Sequence, residues 1–191
     1  MAAVEQIADT VRAGADDSED QRRVTPRSLA ALRDSGLLAA LVPAETGGFQ
    51  VDPLTELELI EAVTFLDGST GWTYWALAGS TARTASMLPP KAVAEVFPPG
   101  GPVPLIAFQE RHFDNRARPT PEGLRVSGRW PFGTGASHAD WVLAMAGCIW
   151  ATERAHTCAP TSSPARCAAT ATTPRSSPAP TPTRTGSSPT A

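Results

Sequence analysis

The distribution of bulky apolar residues limits where this chain can build a core. From residue 149 to residue 191 there is no Leu, Val, Met or Phe, and Ile149 and Trp150 are the last bulky apolar side chains. Ala, Thr, Pro, Ser and Arg dominate the segment instead. Such a composition buries too little surface to offset the entropy cost of ordering the backbone. We therefore predict a disordered tail over residues 149–191 and a folded part within residues 1–148.

Two origins of this tail are open. It is either a genuine flexible linker, extended in polyproline-like geometry, or the product of reading a GC-rich gene in a shifted frame. The second origin is favoured because the break follows a predicted strand directly, within a β-domain. Sequencing the gene across codon 148 and reading its other frames distinguishes the two.

Charge, hydropathy and cysteine usage exclude several classes of protein. The net charge of −3 and the isoelectric point of about 5.6 offer no basic surface for nucleic acid. No apolar run reaches the ~18 residues of a membrane span, and the first residues lack a basic signal region, which predicts a cytoplasmic protein. Cys148, Cys158 and Cys167 lie near His156 at spacings that match no zinc motif. We expect no metal site.

The apolar period changes from helical to strand-like near residue 98, which predicts an α+β fold. Residues 3–14, 26–35, 53–66, 71–87 and 90–97 have helical patterns, and Thr25 and Asp52 are N-caps that each precede a proline. Strands are expected over 103–108, 124–132 and 140–146. The predicted organisation is a helical N-terminal domain (1–98), a partial antiparallel β-domain (99–148) and the tail (149–191).

Two of the predicted helices and the connector between residues 37 and 42 carry specific expectations about burial. The connector is too short and too apolar for a solvent-facing helix, so it should be buried. In the helix at 53–66, Leu54 and Leu57 are expected to face the core and Glu56 the solvent. The helix at 71–87, capped by Ser69 or Thr70, is apolar nearly all round and is expected to be buried.

The segment from Gly128 to Met145 has the composition of a binding element. Gly133 and Gly135 flank Thr134, so backbone N–H groups and one hydroxyl can approach a flat ligand closely. Apolar neighbours on both sides would supply a wall for an aromatic ring. The alternative is an ordinary loop between two strands.

This segment resembles the flavin-contacting strand of the acyl-CoA dehydrogenase superfamily, G-T-K-x-F-I-T-N-G-x-x-A-D. Matching offsets are occupied by Phe132, Thr134, Ala139 and Asp140. The tryptophans at 130 and 141 make the segment more similar to the flavin-dependent monooxygenase branch, G-R-W-x-F-x-S-G-x-x-x-A-x-W. Residues 35–48 resemble the N-terminal signature of the superfamily, G-L-x-x-x-x-V-P-x-E-x-G-G. The resemblance covers residues 24–147.

The resemblance implies a flavin site and a neighbouring substrate pocket. FAD or FMN would contact Phe108, Gln109, Trp130, Phe132, Gly133 and Thr134. Trp72 and Trp75 would border the substrate pocket, although plain core packing is the preferred interpretation of both. His112 and His138 could donate protons near a flavin, but a lone histidine in a loop is more often solvated. No catalytic residue is identified.

The implied function is that of the oxygenase component of a two-component monooxygenase. A partner reductase would supply reduced flavin, and O₂ would hydroxylate an aromatic or polyketide-like substrate. An acyl-CoA dehydrogenase is the alternative within the superfamily, but residues 108–115 depart from its L-T-E-P-x-x-G-S-D pattern. An inactive truncated remnant is a third possibility, because relatives complete the site and a homotetramer with a C-terminal four-helix bundle that has no counterpart here.

Overall fold

The computed structural model describes residues 1–109, 115–121, 123–149 and 155–156. Its helices are α1 (Ala2–Ala13), α2 (Ala15–Asp20), α3 (Pro26–Asp34), α4 (Pro53–Leu66), α5 (Gly68–Met87) and α6 (Pro90–Val96). Its strands are β1 (Ile106–Gln109), β2 (Arg116–Thr120), β3 (Gly123–Ser127), β4 (Trp141–Ala144), β5 (Gly147–Ile149) and β6 (Ala155–His156). Helices followed by strands confirm the α+β class. None of the helices in the described ranges combines the length and apolar character of a membrane span.

Side-chain caps determine where three helices begin. The Thr25 hydroxyl accepts the Ser28 N–H at 3.2 Å, and the Asp52 carboxylate accepts the Leu54 N–H at 3.0 Å, as predicted from the proline that follows each cap. The expected cap of α5 is wrong. Asp67 accepts the Thr70 N–H at 2.7 Å, so α5 begins at Gly68, because a carboxylate is available one turn before the predicted start.

A core forms where α1, α3, α4 and α5 meet, and the expected burial of the connector is confirmed. Its members are Val4, Ile7, Val11, Leu32, Leu37, Leu38, Ala40, Leu59, Val63, Tyr74, Leu77, Ala78 and Leu105. The connector contains a short 3-10 helix, Leu37–Ala39. Each fully buried Leu or Val side chain contributes about 1.5–3 kcal/mol.

The expected orientation of α4 is wrong. Leu54 and Leu57 are 66% and 62% exposed, whereas Glu56 is 6% exposed. The buried positions of α4 are 56, 59 and 63, and the Tyr74 hydroxyl on α5 donates a hydrogen bond of 3.0 Å to the Glu56 carboxylate. A buried carboxyl group is tolerated when it finds such a partner, which the sequence pattern did not reveal.

The described strands form a parallel two-stranded sheet and a four-stranded sheet of mixed direction, so the expected antiparallel domain is only partly correct. β2 pairs antiparallel with β3, and β5 with β6, but β1 pairs parallel with β4 and β2 parallel with β5. The predicted strand over 124–132 ends at Ser127, because β3 and β4 belong to different sheets and the chain must cross between them. We call residues 128–140 the crossing loop.

The first strand packs directly on the helices. The Thr81 hydroxyl of α5 accepts the Ile106 N–H at 3.0 Å, and Ile106 lies in a second apolar cluster with Val42, Ala82 and Phe97. β1 is therefore fixed against α5, which places the end of β1 beside that helix. The predicted disorder of residues 149–191 lies outside the described residues, except for Ile149 and residues 155–156, which are in β5 and β6.

Candidate functional site

A cavity of about 690 Å³ lies between α5, the end of β1 and the crossing loop. Its lining residues are Trp75, Ala76, Gly79, Ser80, Arg83, Phe108, Gln109, Pro131, Phe132 and Thr134. This volume is in the range of small-molecule and cofactor sites. The cavity is thus the place where helical and strand parts of the chain jointly offer a binding surface.

The α5 wall carries the two tryptophans that were expected in the core, and that expectation is wrong. Trp72 is 58% exposed and Trp75 is 47% exposed, with their ring centroids 4.8 Å apart. Tyr74, Leu77 and Ala78 are buried residues of α5 instead, so the tryptophans lie outside its buried face. Trp75 lines the cavity, and the Trp72 indole N–H donates a long hydrogen bond of 3.4 Å to the Thr134 hydroxyl.

The end of β1 supplies a polar group and an aromatic ring. Gln109 is 4% exposed, and its Nε2 is the buried side-chain nitrogen or oxygen without a hydrogen-bond partner among the residues that the structure describes. Such an orphaned buried donor costs about 1–3 kcal/mol and calls for an explanation. Beside it, the Arg83 guanidinium lies 4.5 Å from the centroid of the Phe108 ring.

Two glycines allow the crossing loop to pack closely against α5 and the end of β1. Gly135 has φ +75°, and a Cβ at this position would lie 2.6 Å from the Leu77 side chain. A Cβ at Gly133 would lie 2.5 Å from Gln109 Nε2. Larger residues at either position would push the loop away from α5 or β1, and with it the Thr134 hydroxyl.

Most of the residues predicted for the site come together, but not all of them reach the cavity. Phe108, Gln109, Phe132, Thr134 and Trp75 line it, while Gly133 touches Gln109 and Trp72 reaches it through Thr134. Trp130 is not among the lining residues. Its indole N–H donates to the Met145 carbonyl at 2.7 Å, which ties the crossing loop to the end of β4.

The two histidines give no support for a catalytic role. His112 lies outside the described residues. His138 lines a separate hollow with Arg23 and Arg33, and burial, together with the nearby Arg23 charge, lowers its pKa.

Sequence reasoning missed the polar part of the α5 wall. Gly79 and Arg83 follow Trp75 at intervals of four residues, so all three lie on one face of the helix. This spacing in the sequence indicates that the three residues share one helix face. It was overlooked because the helix had been expected to be buried on all sides.

The comparisons with known proteins identify the relatives of this chain. No family model matches it. Indole-3-acetate monooxygenase from Pseudomonas putida is 30% identical over 142 residues, which is 74% of this chain and 35% of that enzyme. A flavin-dependent monooxygenase, oxygenase subunit HsaA, from Rhodococcus jostii is 25% identical over 143 residues, 75% of this chain and 37% of that subunit. The chain is related to flavin-dependent monooxygenases.

A solved structure of the same kind confirms the relation. XiaF from a Streptomyces species, in complex with FADH₂ and glycerol, superposes with a TM-score of 0.73 at 28% identity. The match covers 81% of this chain and 39% of XiaF. The resemblance to the monooxygenase branch is therefore confirmed, and this chain spans about 35–39% of the length of these relatives.

Proposed function

We propose that this chain forms one wall of the flavin site in the oxygenase component of a two-component monooxygenase. In this proposal a partner reductase in the cytoplasm supplies reduced FAD or FMN, and the substrate is an aromatic or polyketide-like small molecule. The main support for the proposal is Gln109 Nε2, a buried donor that has no hydrogen-bond partner among the described residues and belongs to a residue lining a cavity with aromatic walls. The relation to flavin-dependent monooxygenases supports it.

The residues of the cavity fit a flavin. An isoalloxazine ring is flat and apolar on its faces and carries carbonyl oxygens and ring nitrogens along its edge. Phe108, Pro131 and Phe132 offer apolar surface, and Gln109 Nε2 and the Thr134 hydroxyl offer hydrogen bonds to such an edge. Burial of the Gln109 donor is then compensated by the ligand.

The protein contributes binding, orientation and exclusion of water. Reduced flavin, when bound, supplies the electrons with which O₂ is activated for transfer of one oxygen atom to the substrate. The small residues Ala76 and Gly79 leave room along α5 for a planar substrate, which would lie beside the ring of Trp75. Trp130 has a supporting role, because it holds the crossing loop from outside the cavity.

Anaerobic titration of the purified 191-residue chain with FADH₂ or FMNH₂ tests this proposal, with quenching of tryptophan fluorescence as the readout. We expect saturable binding that weakens about tenfold or more in Gln109→Leu and in Thr134→Val, which each remove one hydrogen bond to the flavin. Gln6→Leu is the matched control for Gln109→Leu, since Gln6 is an exposed glutamine of α1 that does not line the cavity, and it should leave the affinity unchanged.

Further measurements on the same purified chain distinguish the competing functions. Bleaching of oxidised flavin by an acyl-CoA without an external reductant would favour an acyl-CoA dehydrogenase. A colourless, aggregating chain that binds neither flavin would favour an inactive remnant. Binding that is equally strong in Gln109→Leu and Thr134→Val would place the flavin elsewhere and overturn the proposed site.

A further inference from the structure

We propose that the hairpin of β2 and β3 binds an acidic, extended segment of a partner protein as an additional strand. The segment pairs with the outer edge of β3 and places its carboxylates against Arg118 and Arg125. This surface is separate from the flavin cavity, because the residues that line the cavity include no described residue of the hairpin. The inference therefore goes beyond the proposed function and does not depend on it.

The hairpin carries a charge opposite to that of the chain. Residues 116–127 contain three arginines and one acid, Glu122, which lies outside the described residues, whereas the whole chain has a net charge of −3. Arg118 on β2 and Arg125 on β3 are directly opposite each other in the antiparallel pair, so their side chains share one face of the sheet. Both residues are exposed. The hairpin thus presents two adjacent guanidinium groups to solvent.

No described acid neutralises these two guanidinium groups. The ion pair recorded within the described ranges joins Arg33 and Asp140 instead. Like charges directly opposite each other on neighbouring strands destabilise the pair. A carboxylate between them removes this repulsion, and its two oxygens match the planar fork of a guanidinium. Arg116 lies on the same face, but its guanidinium already donates to the Asn115 carbonyl at 3.3 Å.

The outer side of β3 is an open sheet edge. The strand order of the four-stranded sheet is β3-β2-β5-β6, so β3 has a described neighbour on one side only. The backbone N–H and C=O groups along such an edge can pair with a further strand. A charge on the edge strand itself, such as Arg125, already discourages pairing between identical copies. Arg118 lies on the inner strand and is not needed for that purpose, whereas a negatively charged ligand explains both arginines.

The two faces of the hairpin specify the side-chain pattern of the bound segment. Because side chains alternate between the faces of a strand, carboxylates at every second position of the added strand lie over the arginine face. The residues between them lie on the face of Val126, which is 43% exposed. Apolar side chains at these positions bury part of that surface. The segment therefore alternates acidic and apolar residues.

The chain itself offers no segment of this kind in an extended form. Residues 157–191 contain three arginines and no Asp or Glu, so the tail has the wrong charge. The acidic run at residues 16–20 lies in α2, and the alternating Glu-Leu-Glu-Leu stretch at residues 56–59 lies in α4. The occupant is therefore a segment of another protein and not the tail or a second copy.

Fluorescence anisotropy of a labelled, end-blocked Glu-Val-Glu-Val-Glu peptide tests the inference with the purified 191-residue chain at low ionic strength, where screening is weak. We expect saturable binding at least about tenfold tighter than that of the neutral Gln-Val-Gln-Val-Gln peptide. Arg118→Gln and Arg125→Gln should each weaken binding of the acidic peptide about tenfold or more. Arg125→Lys should retain part of the affinity, because it keeps the charge but not the fork.

N-methylated peptides test the added strand separately from the charge. In an added strand, the N–H groups of alternate residues point toward β3 and those between them point away. Methylation of one alternate set of backbone nitrogens should therefore abolish binding, and methylation of the other set should leave it nearly unchanged. Equal effects of the two methylation patterns would overturn the strand addition.

Arg27→Gln is the matched control, because Arg27 is an exposed arginine of α3 outside the hairpin and should not affect peptide binding. The thermal unfolding midpoint of Arg118→Gln and Arg125→Gln should not decrease, since each change relieves a like-charge contact. A decrease would contradict the uncompensated charge on this face.

Three binding results would overturn the inference. They are undetectable binding of the acidic peptide, equal binding of the acidic and neutral peptides, and binding that persists when Arg118 and Arg125 are both replaced by Gln. Binding to phosphatidylserine vesicles that is lost in the same double variant, without binding of the acidic peptide, would overturn it in favour of a membrane surface.

Discussion

Asp140 and Leu105 form a reciprocal pair across 35 residues of chain. The Asp140 carboxylate accepts the Leu105 N–H at 2.9 Å, and the Leu105 carbonyl accepts the Asp140 N–H at 2.8 Å. The pair joins the residues that precede β1 and β4, and it fixes the end of the crossing loop beside the cavity wall. Asp140 also makes an exposed ion pair of 3.1 Å with Arg33 on α3.

Asp140→Ala should destabilise the protein by about 1–3 kcal/mol, because it leaves the buried Leu105 N–H without its acceptor. Urea unfolding followed by tryptophan fluorescence measures this loss. Arg33→Ala removes the ion pair alone and should cost less than about 1 kcal/mol, since both side chains are about 40% exposed. Equal losses in the two variants would contradict the role assigned to the backbone bond.

Gly135→Ala should destabilise the protein and displace the crossing loop. The new Cβ meets Leu77 at 2.6 Å in addition to the backbone strain at φ +75°. Gly100→Ala is the control for backbone strain alone, because Gly100 has φ +72° but nothing within 4 Å of its Cβ position.

Gly100→Ala should therefore cost about 1–2 kcal/mol from backbone strain, and Gly135→Ala a further 1–3 kcal/mol from overpacking, both estimated to order of magnitude. Urea unfolding gives the two free energies. Reduced flavin affinity in Gly135→Ala alone would show that the loop position matters for binding. A Gly135→Ala variant as stable as Gly100→Ala would show that the loop does not rest on Leu77.

Glu56 should give the protein a stability component that decreases with rising pH. Burial raises the pKa of Glu56 above its ordinary value of 4.5, although the hydrogen bond from Tyr74 opposes this shift. Between 4.5 and the raised value, the folded state holds a proton that the unfolded state has released, so stability falls as pH rises. Burial and, secondly, the Glu56 charge raise the pKa of Tyr74, so its hydroxyl remains a donor.

Free energies of unfolding between pH 4 and pH 8 check this sign. Glu56→Gln keeps an acceptor for Tyr74 and cannot ionise, so its stability relative to the wild type should improve as pH rises. Glu58→Gln changes an exposed carboxylate on the same helix and should follow the wild-type curve. Parallel curves for Glu56→Gln and the wild type would show that Glu56 ionises normally in the folded state.

Gly79→Ala should stabilise the protein while it narrows the cavity. Glycine inside a helix costs about 0.8–1.0 kcal/mol relative to alanine, and a Cβ at this position meets nothing within 4 Å. We expect a higher free energy of unfolding together with weaker binding of reduced flavin to the cavity that Gly79 lines. Gly68→Ala, at the first residue of α5 and also free of contacts, is the control and should leave binding unchanged. A gain in stability with unaltered binding would mean that the ligand does not pass over Gly79.

The candidate site was predictable from sequence where a motif fixes local chemistry. The glycines around Thr134 permit the loop geometry that brings this hydroxyl to the cavity. A strand was expected over 103–108, and the resemblance implied that Phe108 and Gln109 at its end contact the flavin. Arg83 was not predictable in this way. Its place in the cavity wall depends on the direction in which α5 faces, and its guanidinium lies over the ring of Phe108, 25 residues further along the chain.

By itself the sequence determined the helix starts at Thr25 and Asp52, the burial of the connector and the change from helices to strands, because these depend on local hydrogen bonds and on apolar patterning. Only the tertiary structure decided which face of α4 and α5 is buried. Both helices carry apolar residues on more than one side, so the burial of Glu56 and the exposure of Trp72 and Trp75 depend on neighbours distant in sequence. The same contacts between distant residues create the cavity, since α5, β1 and the crossing loop meet only when the chain is folded.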